Sequence, residues 1–165
     1  MTKWLSAGLL ALFGGTVNAS LDLGFELPDV VANDQSGAQI KLKSLRQEPF
    51  LLVYFYPKAD TPGCTKQACS LRDAYSDLQD KGVKVIGVSR DSVAGQKAFA
   101  DKFNLPFTLL ADVDGVVVKS FGVPSMGNFA KRQAFLFQKG KLIWKDESAS
   151  TEQQAQDVLT VLTQS

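Results

Sequence analysis

The stretch FLLVYFYPKADTPGCTKQACSLRD, residues 50–73, decides the fold. Its first seven residues, Phe50 to Tyr56, form a continuous run rich in aromatic and β-branched side chains. That composition suits a strand buried on both faces and therefore central to a sheet. Pro57 ends the strand. After Thr61-Pro62-Gly63 the period changes: Ala68, Leu71, Tyr75 and Leu78 recur three, four and three residues apart, which predicts a helix with one apolar face. Gly82 stops it.

Outward from this unit, strand and helix alternate. Val83 to Ser89 reads as a second buried strand, Ser92 to Phe103 as a second amphipathic helix, and Phe107 to Leu110 as a third, short strand. Asp112 to Gly115 is a turn, and Val116 to Phe121 a further helical turn. Ala134 to Phe137 and Leu142 to Trp144, joined across Gln138 to Lys141, read as an antiparallel hairpin. A last helix is expected from about Thr151, as N-cap, to Thr163. Upstream, Asn33-Asp34 and Ser36-Gly37 signal turns, and Gln39 to Leu42 alternates like a peripheral strand. The predicted class is α/β: a mixed central sheet with helices on both faces, in the element order of a thioredoxin-like fold.

With 165 residues, 45% of them hydrophobic, the chain has the size and composition of one packed domain. The balance of 18 basic and 17 acidic side chains contains no Lys/Arg run dense enough for a phosphate backbone, so no nucleic-acid partner is expected. Histidine is absent, which excludes Cys-His and Ser-His-Asp mechanisms. Two cysteines without further ligands at suitable spacing give no expectation of a metal site. Residues 1–19 have the layout of a secretory signal peptide: Lys3, an apolar stretch from Trp4 to Phe13, and small residues ending Val17-Asn18-Ala19. The apolar stretch is about half the length that spans a bilayer. The expectation is cleavage after Ala19, a folded domain over residues 20–165, a periplasmic location and no stable membrane association after processing.

Chemistry concentrates at Cys64. It falls in the first turn of the predicted helix, where Thr61 can cap and Pro62 is favoured by its fixed φ. Free backbone N–H groups and the helix dipole favour thiolate over thiol there. A thiolate attacks a peroxide oxygen and becomes a sulfenic acid. Cys69 lies five residues on, so in an ideal helix the two Cα atoms stand about 8.6 Å apart on different faces. A disulfide spans at most roughly 7 Å, so the pair can join only if the helix unwinds. This spacing points to a cycle with two conformations.

The segment YFYPKADTPGCTKQACSLRD, residues 54–73, resembles the active-site segment of the peroxiredoxin Q subfamily, also called bacterioferritin comigratory proteins. It holds the superfamily's Pro-x-x-x-Thr-x-x-Cys signature as Pro57, Thr61 and Cys64. The resemblance continues through residues 87–112 and through KRQAFLF, residues 131–137. It implies a thiol peroxidase acting on hydrogen peroxide and organic hydroperoxides, with Cys64 peroxidatic and Cys69 resolving through an intramolecular disulfide. It further implies that Arg132 stabilises the thiolate and the leaving oxygen, that Thr61 hydrogen-bonds the peroxide, and that Pro57 shields the thiolate. No cofactor is implied; a thioredoxin-like dithiol reductant and a monomer are.

Two other readings compete. A general thiol-disulfide oxidoreductase normally uses Cys-x-x-Cys and a proline before the strand facing the site, whereas this chain has Cys-x-x-x-x-Cys and Arg132-Gln133. A non-catalytic holdase on the same fold has no reason to keep Pro57, Thr61, Cys64 and Arg132 together.

Overall fold

The computed structural model describes residues 20–164, so the expected signal peptide lies outside the described residues. The predicted central strand is β3, Phe50–Phe55, and it sits between a parallel and an antiparallel neighbour. On one side runs β4, Val83–Ser89, in parallel register with Val53 opposite Ile86. On the other runs β8, Gln133–Gln138, antiparallel, with Val53 opposite Phe135. With β1 (Val31–Asp34), β2 (Gln39–Lys41), β5 (Thr108–Ala111) and β9 (Lys141–Asp146) they form one seven-stranded mixed sheet of order β2-β1-β5-β4-β3-β8-β9. Residues Gly24 to Leu27 run beside β9: Gly24 N–H donates to Leu142 O at 2.8 Å, Leu142 N–H to Phe25 O at 2.9 Å and Leu27 N–H to Gly140 O at 2.7 Å.

Because side chains alternate across a strand, β3 feeds two cores. Leu52, Tyr54 and Tyr56 face a layer built from α1 (Pro62–Asp73), α2 (Tyr75–Asp80), α3 (Val93–Phe103) and α5 (Gln154–Thr163). Leu51, Val53 and Phe55 face α4, Val116–Ser120, and Leu42 at the start of a 3-10 segment. Helices on both faces and the mixed sheet agree with the class read from the sequence.

The differences are local. The segment before Gln39 contains a strand, β1, where the sequence suggested only turns. Asp34 serves both purposes: it pairs opposite Leu110 while its Oδ1 accepts from Ser36 N–H and Ala38 N–H at 2.8 and 3.0 Å. The single helix expected up to Gly82 bends at Ala74 into α1 and α2, yet Ala68, Leu71 and Leu78 stay fully buried on the same side. Thr151 does not cap the last helix. That helix starts at Gln154, and Ser150 Oγ instead accepts from Glu152 N–H and Gln153 N–H at 3.2 and 3.0 Å. A two-residue pair, β6 (Ser125–Met126) with β7 (Phe129–Ala130), is too short to leave a period in the sequence.

Candidate active site

The loop from Pro57 to Thr61 carries the chain from the end of β3 over the sheet and into α1. Asp60 takes a left-handed conformation, φ 57°, and its carboxylate pairs with Lys102 Nζ at 2.9 Å. Thr61 occupies the N-cap position of α1, but its hydroxyl does not cap; it donates to Lys58 O at 2.7 Å. The expected capping role is thereby corrected: the hydroxyl turns back to the loop carbonyl of Lys58 rather than toward the first N–H groups of the helix. With its hydrogen committed, Thr61 Oγ1 keeps lone pairs free to accept.

Cys64 lies in the first turn of α1 and is only 2% exposed. Arg132, in the two residues between β7 and β8, brings Nη2 to 3.5 Å from Cys64 Sγ. Its other terminal nitrogen, Nη1, donates to Gln67 Oε1. Gln67 lies three residues after Cys64, hence on the same face of α1, and its Nε2 donates at 2.9 Å to Gln154 Oε1 on α5. Gly63 makes room for this arrangement, since a Cβ there would stand 3.1 Å from Arg132 Nη2. Pro57 and Arg132 also share the wall of an apolar groove of about 430 Å³ with Pro124, Met126, Phe129 and Ala130.

Cys69 is half-buried further along α1, and both cysteines are free thiols. Lys66 and Arg72 on the same helix are committed elsewhere, Lys66 to Glu152 at 3.0 Å and Arg72 to Phe103 O at 2.7 Å. Beneath the site lie two fully buried tyrosines. Tyr56 donates its hydroxyl to Gln96 Oε1 at 2.5 Å, whereas the Tyr54 hydroxyl has no hydrogen-bond partner among the described residues. Burial pushes both phenols above their ordinary value; for Tyr54 the charges of Tyr56 and Cys64 add to this and Arg132 opposes it.

Of the residues singled out from sequence, Cys64 and Arg132 meet directly, Pro57 lines the groove beside Arg132, and Thr61 begins the helix that carries Cys64. Cys69 stands apart from this cluster. Gln67 and Gln154 escaped the sequence reading, since a glutamine in a helix has no local signature and their partners are distant in the chain.

A buried cysteine at a helix start, faced by an arginine just ahead of β8 in a mixed sheet, defines a family rather than a single protein. The chain belongs to the AhpC/TSA family, whose model matches residues 23–145. Among relatives it is similar to the chloroplastic peroxiredoxin Q of Triticum aestivum, 43% identical over 127 residues, 76% of this chain and 58% of the wheat protein. It is also similar to peroxiredoxin bcp1 of Schizosaccharomyces pombe, 36% identical over 153 residues, 91% of this chain and 78% of that one. The chain thus spans under two thirds of the wheat protein's length. Among solved structures, the bacterioferritin comigratory protein of Xanthomonas campestris superposes with a TM-score of 0.78 at 27% identity, covering 87% of this chain and 98% of that one.

Proposed function

We propose that the chain is a thiol peroxidase whose nucleophile is Cys64. The observation that carries this reading is the approach of Arg132 Nη2 to within 3.5 Å of the buried Cys64 Sγ at the start of α1. The Cys64 thiolate attacks one peroxide oxygen; the O–O bond breaks, the leaving oxygen takes a proton as alcohol or water, and Cys64 becomes a sulfenic acid. The Arg132 guanidinium faces the charge that passes from sulfur to the leaving oxygen. Thr61 Oγ1, its own hydrogen held by Lys58 O, accepts from the incoming peroxide O–H. Pro57 keeps water from the thiolate side of the pocket.

Cys69 thiol then condenses with the sulfenic acid, releasing water and forming the Cys64–Cys69 disulfide, and a thioredoxin-like dithiol restores both thiols. Substrates are hydrogen peroxide and organic hydroperoxides; the Xanthomonas protein is described as having alkyl peroxide reduction activity. No cofactor takes part. The working unit is a monomer. Residues 1–19 direct it to the periplasm, a reading supported by their pattern alone, and an intact mass starting at Ser20 tests it.

Peroxide consumption with a chemical dithiol tests the function. Wild-type protein should consume hydrogen peroxide catalytically, and Cys64→Ser should show none, because an alcohol supplies almost no anion at neutral pH. Retained activity in Cys64→Ser would sink the assignment.

A further inference from the structure

We infer that Gln154 is a positioning residue, a latch on α5 that keeps α1 wound and Arg132 aimed while Cys64 is reduced. The inference rests on the peroxidase reading only for its consequence, not for its geometry. An arginine offers donors and no acceptor, so Gln67 can face Arg132 only with Oε1. Its Nε2 must then point away, into the buried space where Gln154 Oε1 receives it at 2.9 Å. Both glutamines are essentially unexposed, at 0% and 1%. Among the described residues Gln154 Nε2 is buried without an acceptor, so what the Gln154 amide contributes here is the oxygen that receives Gln67.

Other contacts from α1 to this part of the chain surround the same point. Ser70 Oγ donates to Glu152 O at 2.9 Å, Lys66 pairs with Glu152 at 3.0 Å, and a Cβ on Gly63 would stand 3.6 Å from Thr151 Cγ2. Residues 151–154 therefore strap down residues 63–70, the segment that holds both cysteines and must unwind for them to join. The ion pair is exposed and worth little, and the Ser70 bond is exposed as well; the amide pair is the part of the strap that is buried. A strap that holds too well leaves the sulfenic acid in its pocket for a second peroxide, which yields sulfinic acid. Its strength thus sets how the sulfenic acid divides between disulfide and sulfinic acid.

The test uses Gln154→Met, which removes the acceptor with little change of volume, and Gln154→Glu, which keeps an oxygen for Gln67. In the reduced protein, amide exchange from Thr65 to Leu71 should be about tenfold faster in Gln154→Met, the loss expected for one buried hydrogen bond. It should stay at the wild-type rate in Gln154→Glu. Under a peroxide challenge the sulfinic share of Cys64, read by mass spectrometry, should fall severalfold in Gln154→Met. Should that variant not fold, Gln154→Ala removes the same acceptor and is read the same way. Unchanged exchange, or an unchanged sulfinic share, overturns the latch. Exchange is read without peroxide, so a wild type that consumes none sinks the peroxidase reading and still leaves the latch to be judged.

Discussion

Two of the Arg132 nitrogens are spoken for, one by Cys64 Sγ and one by Gln67 Oε1, and this fork aims the edge of the guanidinium at the sulfur. Arg132→Met should therefore slow the second-order reaction with hydrogen peroxide by about one to three orders of magnitude, the range for loss of a donor to developing charge. Arg132→Lys should recover little, since a point charge cannot hold both contacts; stopped-flow rates decide, and an unchanged rate would move the role to another residue. The two tyrosines beneath make an internal contrast. Tyr56→Phe strands Gln96 Oε1 in the core and should cost about 1–3 kcal/mol in urea unfolding, whereas Tyr54→Phe deletes a hydroxyl that has no partner among the described residues and should cost almost nothing. At this scale the sequence was legible where the chemistry is local: Pro57, Thr61 and Cys64 lie within eight residues of chain, and Arg132 stands beside a recognisable strand. It was silent on Gln67 and Gln154, whose bond joins residues 87 apart. It misassigned the Thr61 hydroxyl, whose partner depends on the loop's path rather than on its residue types.

Helix α1 holds both cysteines in one unbroken stretch, Pro62–Asp73, so its secondary structure opposes the disulfide that its chemistry requires. Oxidation should yield a Cys64–Cys69 peptide by mass spectrometry, with faster amide exchange from Gly63 to Leu71 than in the reduced protein and β3 little changed. Only Cys64–Cys64 crosslinking between molecules would remove Cys69 from the cycle. The apolar period of this helix was readable because Ala68, Leu71 and Leu78 all meet the β3 face of the sheet. The bend at Ala74 was not, since it leaves that period intact. Strand β1 was hidden for the opposite reason: none of its four residues is buried, so its alternation of exposed and half-buried positions leaves no apolar pattern in Val-Ala-Asn-Asp, and Asn33-Asp34 carries turn residues inside a paired segment.

For the molecule as a whole, the buried phenols set a limit in alkali. The folded protein keeps Tyr54 and Tyr56 neutral above the ordinary phenol value of 10.0, because burial penalises their charged forms. The unfolded chain releases those protons at its ordinary value. Stability from this source is thus complete below about pH 10 and lost as pH rises further. The urea midpoint should fall steeply above pH 10, and the Tyr54→Phe, Tyr56→Phe double variant should flatten that fall. The class of the fold was legible at this scale since β3 is a continuous apolar run and β4 is buried at every residue but Lys84, but the strand order was not, because pairing across β8 and β1 joins distant segments. The chain that runs from Gly24 to Leu27 has a further consequence. An open sheet ends in rows of unused amide and carbonyl groups that recruit strands from other molecules. At one margin β2 is only three residues long, and its Lys41 is exposed. At the other, Gly24, Phe25 and Leu27 already occupy the outward groups of Gly140 and Leu142. Proteolytic trimming past Leu27 would bare those groups of Gly140 and Leu142 and offer them to a strand from another molecule.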